Sequence, residues 1–529
     1  PFTDVPATSI VPEESGQQPG PAGEEVPDVG ALDVPVSGSA ERLRTPDEQG
    51  LVRIRSDVLN LWVDRRGGDI VKVTLPTYPV ALDAPGVPFT LLDRTATFTY
   101  VAQSGLAGPD GVDARSEGRP LYRTDRDLYE LEAGQDRLVV PFEFTDEAGV
   151  TTIKQFVLER GDHLVRIDYE IRNPLDRPLK LNLYGQIKRS AGPPPGQETS
   201  RMGPRPYVGA AFTTADSRYE KIDFDDLDDE SWEARVTGGW MAMLQHYFLS
   251  AWVPEEDGEY LYRGRKSTGD TYLIEFVSPT ADVPAGGALT RSASFYAGPK
   301  DQDRLEAIAP NLSLTVDYGF LWWIAVPLFH LLDLLHALFR NWGVSIVLLT
   351  LVIKLVLYPL SAASYRSMAN MRKVAPEMKR LQERYGDDRQ KLSTEMMNLY
   401  KKERINPLGG CLPMVLQMPV FLALYWVLYE SVELRQANFM LWIDDLSSID
   451  PFFVLPLLMG ATMFFQQTLN PPPPDPTQAK VLKIMPVMFT GLFLFFPSGL
   501  VLYWLTNNVL SIAQQWWITR QIEQGAAAK

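Results

Sequence analysis

One stretch constrains this chain more than any other: Asn341 to Leu360, NWGVSIVLLTLVIKLVLYPL. It supplies about 20 mostly apolar residues in a row, the length a helix needs to cross a bilayer core. Lys354 breaks the run. With the helix entering near Trp342, Lys354 lies ~18 Å further along. That is past the midplane of a ~30 Å hydrocarbon slab. A cation at that depth costs roughly 3 kcal/mol or more and marks a functional site by default. The competing reading, a lysine that snorkels to the headgroups, is weakened by the depth.

Polar residues elsewhere give Lys354 a setting. Thr350, Lys354 and Tyr358 recur every four residues, so they are expected on one helical face. Gln417 interrupts the apolar run Leu412–Tyr429. The last run, Leu500–Ile518, carries Tyr503, Trp504, Thr506, Asn507, Asn508, Ser511 and Gln514, with Asn507, Ser511 and Gln514 on one face. Polar side chains in lipid are costly unless they satisfy one another or meet water. The economical arrangement gathers them around Lys354. No Asp or Glu falls inside the apolar runs, so the lysine has no intramembrane counter-ion. A lone cation is hard to stabilise in a dry bundle and tolerable in a wet cavity open on one side. Plain helix–helix hydrogen bonding remains the alternative for Gln417 and Asn507. The methionines Met414, Met418, Met459, Met463, Met485 and Met488 could form a compliant slide for apolar helices; ordinary packing is the simpler account.

The remaining chain divides by composition. Residues 1–49 are rich in Pro, Gly, Asp and Glu and read as a flexible acidic tether. From residue 50 to about 312 the pattern has period two: Val165, Ile167, Tyr169 and Ile171 alternate with Arg166, Asp168, Glu170 and Arg172. Gly-Asp turns recur throughout, at Arg66-Gly67-Gly68-Asp69 and Arg160-Gly161-Asp162 for example. Such punctuation predicts a large antiparallel sandwich, with a short helix at 301–309. His246 is expected in a strand, as a structural histidine. The domain shows no metal-ligand spacing, nucleophile elbow or phosphate loop.

Residues 313–340 include FLWWIAVPLFHLLDLLHALFR, long enough to span. His330, Asp333, His336 and Arg340 share a face, which suits a helix lying in the interface. Residues 361–406 form an expected helical hairpin around Tyr385-Gly386-Asp387-Asp388. Between Arg366 and Arg404 there are eleven Lys/Arg against six Asp/Glu, in a chain whose net charge is −16. That excess beside membrane ends places the hairpin in the cytoplasm. Its outer faces could serve as a dock for anionic headgroups or proteins. Spans are then expected at 341–360, 407–430, 452–469, 481–496 and 500–518. Residues 431–451 face outward, and the proline-rich loop 470–480 and the tail 519–529 face inward. The β domain then sits outside, which is the periplasm if the cell is Gram-negative. Cys411 is the only cysteine, so no intrachain disulfide is expected.

Asn341 onward, Gln417-Met418-Pro419, Leu434-Arg435-Gln436-Ala437, Phe496-Pro497-Ser498-Gly499-Leu500 and Tyr503 together resemble the YidC-type membrane protein insertases of Gram-negative bacteria. Asn406-Pro407-Leu408-Gly409-Gly410-Cys411 and Thr315-Val316-Asp317-Tyr318-Gly319 strengthen the likeness, which covers Leu51 to about Gln521. The resemblance implies a periplasmic all-β supersandwich, similar to sugar-mutarotase domains, and a five-helix transmembrane insertase core with a cytoplasmic hairpin. It implies a groove open to cytoplasm and lipid whose basic residue draws in a client's polar end, without covalent chemistry, cofactor or metal. Lys354 stands where the family has an arginine, with Thr350, Gln417, Phe421, Tyr503 and Trp504 along the groove. Lysine can lose its proton when desolvated and arginine practically cannot, so a wet groove becomes a requirement. Implied partners are nascent membrane proteins, the Sec translocon, the bilayer and, through 365–404, a ribosome or targeting receptor, with no direct readout of nucleic acid. The family's first anchor is not visible here, and the short tail predicts no strong ribosome binding through it. Two other classes stay in view. A transporter using Lys354 would need repeats or broken helices, and none is evident. A carbohydrate enzyme built on the β domain lacks a catalytic constellation.

Overall fold

The computed structural model describes residues 50–527 except 117, 194–205, 215, 256–257, 268, 387, 404–411 and 470–475. The acidic tether, the 406–411 breaker with Cys411 and the prolines at 471–474 lie outside the described residues, as does the side chain of Met414.

Strands come first: β1 (Leu51–Arg55), β2 (Asn60–Asp64), β3 (Asp69–Pro79), β4 (Pro88–Arg94), β5 (Thr99–Ala107), β6 (Leu128–Glu130), β7 (Arg137–Thr145), β8 (Thr151–Glu159), β9 (Leu164–Arg172) and β10 (Leu179–Ser190). Then follow β11 (Gly209–Phe212), β12 (Glu220–Ile222), helix α1 (Phe224–Asp229), β13 (Trp232–Thr237), β14 (Met241–Leu244), β15 (Phe248–Pro254), β16 (Glu259–Lys266), β17 (Thr271–Val277), β18 (Ala281–Val283) and β19 (Ala288–Pro299). They form two sheets. One has eleven strands in the order β13-β16-β17-β10-β5-β4-β3-β2-β1-β6, with β18 also beside β10. The other has eight, in the order β12-β11-β14-β15-β19-β9-β8-β7. Among the described residues, only β1 and β6 pair in parallel.

The alternation in β9 buries Val165, Ile167, Tyr169 and Ile171, each at 1% exposure or less, in the core between the sheets. Gly67, Gly68 and Gly161 have positive φ, which explains the glycines in those turns. His246 is not in a strand: β14 ends at Leu244 and β15 starts at Phe248, so it sits in the hairpin turn. The turn frees its ring to reach outward, and Nε2 lies 2.9 Å from the Tyr429 carbonyl oxygen of the helical half.

Helices make up the rest: α2 (Gln302–Ile308), α3 (Trp322–Phe339), α4 (Trp342–Val356), α5 (Tyr358–Tyr385), α6 (Arg389–Lys402), α7 (Leu412–Glu430), α8 (Val454–Thr468), α9 (Pro476–Phe493) and α10 (Ser498–Ala527). The stretch expected to be one helix over 341–360 breaks at Leu357, with 68° between α4 and the start of α5. Pro359 is the cause. It has no N–H for the Leu355 carbonyl, and its ring crowds the preceding turn. Tyr358 therefore leaves the face of Thr350 and Lys354 and is 42% exposed. Between α3 and α4, Arg340 takes a left-handed φ of 55° and Asn341 caps α4 by accepting from Val344 N–H. This turns the chain within two residues, and α3 packs on α4 and α7. Among the described residues, Gly319–Phe339 is the one helical stretch long and apolar enough to span alone; Trp342–Val356 and Tyr358–Met371 qualify only as a bent pair. The helix α9 starts inside the stretch expected as a loop, and α10 runs on through the expected tail.

One apolar core joins the halves. Trp240, Leu244 and Leu249, on the outer face of the eight-stranded sheet, cluster with Leu321, Leu424 and Val427 from the helical side. Polar contacts close the seam: Lys300 Nζ lies 3.4 Å from Glu430 Oε2, with both side chains buried, and Arg435 donates to the Pro79 carbonyl at 2.7 Å. Near this end of the bundle, Asn341 donates to the Phe439 carbonyl, and Ser498 N–H donates to that of Ser448. The first residues of α4 and α10 thus meet the segment between α7 and α8. The hairpin α5–α6 stands on a small core of its own, Val374, Met378, Met396 and Leu399, spaced by four on one helix and by three on the other, as one buried face requires.

Candidate functional site

The helix α4 forms because an Asn cap precedes a run without Pro or mid-run Gly. It presents Thr350, 1% exposed, and Lys354, 8% exposed, toward the bundle. Thr350 Oγ1 donates to the carbonyl of Ile346 in its own helix at 2.7 Å, so its polarity is satisfied locally.

Lys354 reaches two other helices. Its Nζ donates to Ser511 Oγ on α10 at 2.7 Å and to Gln417 Oε1 on α7 at 3.3 Å. Gln417 Nε2 in turn donates to Asn507 Oδ1. Ser511 Oγ donates to the Asn507 carbonyl one turn back at 2.7 Å, and Tyr365, at the root of the hairpin, also hydrogen-bonds Ser511. Among the described residues no carboxylate pairs with Lys354. The ammonium is held by neutral oxygens alone, which leaves its charge uncompensated within the bundle.

An aromatic group adjoins this polar one. Phe421, one turn along α7 from Gln417, stacks on Tyr503 with centroids 6.1 Å apart and meets Trp504 edge-on at 4.3 Å. Tyr503 is 2% exposed and hydrogen-bonds Gln417. Trp504 also contacts Phe493 at 5.0 Å, which ties α10 to α9. The structure thus gathers Lys354, Gln417 and Asn507 into one polar cluster, with Phe421, Tyr503 and Trp504 beside it. Thr350 faces the same bundle, and among the described residues its hydroxyl hydrogen-bonds within its own helix.

Two partners escaped the sequence reading as site residues. Ser511 was one polar residue among several on its face, and its i+4 relation to Asn507 was the available signal. Tyr365 carried none, because its place depends on the bend at Leu357. Gln514 continues the face of Asn507 and Ser511, and its buried amide atoms have no partner among the described residues.

The β domain holds a second charged cluster. Lys154 Nζ donates to the carbonyls of Gly67, Gly68 and Ser104 at 3.1, 2.8 and 3.0 Å. Arg119 pairs with Asp69 and Asp113. All four charged residues are at most 6% exposed, locked between the sheets. They cross-link the sandwich and offer nothing to a solute.

Two family models cover most of the chain. The YidC periplasmic domain matches residues 51–331, and the 60Kd inner membrane protein matches residues 334–525. A membrane protein insertase YidC of Azotobacter vinelandii is 54% identical over 502 residues, 94% of this chain and 89% of the relative. That of Stutzerimonas stutzeri is 54% identical over 499 residues, with the same coverage of both chains. A crystal structure of an active YidC insertase with its first transmembrane domain resolved covers 89% of this chain and 92% of its own. Its TM-score is 0.38 and its identity 17%, too loose a likeness to carry a structural argument. With more than half of the chain matched by one family model and relatives more than half identical along nearly all of it, the chain belongs to the YidC family of membrane protein insertases.

Proposed function

We propose that this insertase moves the polar end of a client past the apolar core by offering Lys354 as a transient counter-charge in a wet groove. The observation that carries this reading is the ammonium itself: buried, held by Gln417 and Ser511, and without an ion-pair partner among the described residues. An ammonium has three N–H donors, and the two neutral oxygens leave it able to exchange a weak partner for a client carboxylate. Charge-assisted hydrogen bonds are roughly twice as strong as neutral ones. Phe421, Tyr503 and Trp504 would contact the apolar part of the client beside it. YidC-family insertases are not catalytic enzymes, and the work here is lowering the barrier to crossing.

In this reading α4, α7, α8, α9 and α10 form a five-helix membrane core, with the α5–α6 hairpin in the cytoplasm and α3 along the outer interface. The meeting of Asn341, Phe439, Ser448 and Ser498 at one end supports alternating helix directions with the periplasmic β domain at that end. The basic excess of 366–404 supports a cytoplasmic hairpin that engages anionic lipid, ribosome or targeting machinery. Nascent inner-membrane proteins are the clients, taken alone or beside the Sec translocon.

Photo-crosslinkers at Phe421 and at Trp504 test the groove. Ribosome-bound nascent clients should form adducts at both positions through the segment being inserted. Vesicles that insert the client yet give no adduct at either position would contradict the reading.

A further inference from the structure

The turn joining β3 to β4, residues 80–87 with the sequence VALDAPGV, is apolar and uncovered. Val80, Leu82 and Val87 are 43%, 46% and 53% exposed. Asp83 is its only charge. Side chains of this kind at a loop tip call for a partner surface. The turn is nevertheless ordered by its own backbone: Val80 N–H donates to the Val87 carbonyl at 2.8 Å, Ala84 to Ala81 at 3.1 Å and Val87 to Ala84 at 3.0 Å.

The base of the turn is fixed to the membrane half. Arg435, five residues beyond the end of α7, donates to the Pro79 carbonyl at 2.7 Å. Its guanidinium lies 5.6 Å from the ring centroids of Phe89 and of Phe248. Gln436 Nε2 donates to the same Pro79 carbonyl at 3.0 Å. The clasp holds the end of β3, and the eight-residue turn extends beyond it before β4 begins at Pro88. The segment supplying the clasp is itself apolar toward the outside, with Leu441 81% and Phe452 66% exposed.

We propose that the β3–β4 turn is a lipid anchor. Val80, Leu82 and Val87 seat at the boundary of headgroups and acyl chains in the outer leaflet, and Asp83 stays among the headgroups. A seat about 5–10 Å deep is the usual range for interfacial segments. The anchor and the Arg435–Gln436 clasp together fix the height of the β domain over the bilayer. The inference rests on the reading that α7 ends at the outer face of the membrane.

The test uses the full chain in phosphatidylcholine vesicles, with Cys411→Ser and a single cysteine carrying an environment-sensitive NBD fluorophore. Leu82→Cys reports the turn. Leu457→Cys, 59% exposed on the first turn of α8, is the lipid reference, and Arg66→Cys at the far end of β3 is the water reference. The expected result is blue-shifted emission at 82 and 457, quenched by lipids brominated near the top of the acyl chains, with 66 unquenched. Water-like emission at 82 with quenching at 457 overturns the anchor and leaves the topology standing. Water-like emission at both overturns anchor and topology together. A blue shift at 82 that brominated lipid does not quench places the turn against protein and also overturns the anchor.

Discussion

Replacing Lys300 by Met should destabilise the junction of the two halves more than replacing Lys300 and Glu430 together. The ion pair has Nζ 3.4 Å from Oε2, with side chains 3% and 6% exposed. At an effective dielectric constant near 20, that separation corresponds to about 5 kcal/mol of attraction, offset by the cost of taking both charges from water. Lys300→Met removes the attraction and leaves the Glu430 carboxylate buried, which costs about 3–5 kcal/mol. In Lys300→Met/Glu430→Gln no charge remains to be desolvated, so the loss should shrink to about 1 kcal/mol. Its neighbours are otherwise kept: Lys300 N–H still donates to the Tyr247 carbonyl at 2.9 Å. Urea unfolding of the detergent-solubilised protein, followed by tryptophan fluorescence, reads the difference. A double variant as unstable as the sum of the two single variants would refute the reasoning.

Three further outcomes follow from the geometry. Ser511→Ala should cost about 1–3 kcal/mol in unfolding and lower client insertion less than loss of Lys354 does, because Lys354 keeps Gln417. Gly343→Ala should cost about 1–3 kcal/mol, since a Cβ there would run into the Phe439 ring; a thermal melt checks it. Burial pulls the His246 imidazole from 6.5 down to about 3. The unfolded chain thus binds the proton more readily across that window, and stability falls as pH drops from 6.5 toward 3, by up to about 5 kcal/mol. Glu433, pushed from 4.5 up to about 7 by burial, acts in the opposite sense: its folded form holds the extra proton between those values. The histidine's loss should therefore stand out below pH 4.5, and His246→Gln should be the less acid-sensitive protein in urea titrations at pH 7.5 and 4.

Much of this architecture is legible along the chain because it rests on local periodicity. Period two in β9 and the three-and-four spacing of Val374, Met378, Met396 and Leu399 each report which face is buried. Lys354 is legible for a different reason, since a charge within an apolar run carries its cost wherever the helix packs. The break at Leu357 was written in Pro359, but an apolar run of spanning length outweighed a single proline. Long-range partners leave no local trace. Ser511 lies 157 positions from Lys354 and His246 183 positions from Tyr429. Only the packing of whole helices and sheets decides which of several equivalent polar residues meet. The β3–β4 turn carries no local sign of its partners, and its clasp by Arg435 and Gln436 becomes visible only once the halves are docked.

The central claim is that the charge of Lys354 assists the crossing of acidic segments. The direct measurement is insertion into proteoliposomes of one client in two forms, with Asp or with Asn in its translocated segment, by the parent protein, Lys354→Arg and Lys354→Ala. Lys354→Ala should lower insertion of the Asp form by at least about tenfold, the effect of ~1.4 kcal/mol on a barrier. It should change the Asn form far less, and Lys354→Arg should serve both. Full insertion of the Asp form by Lys354→Ala would contradict the account.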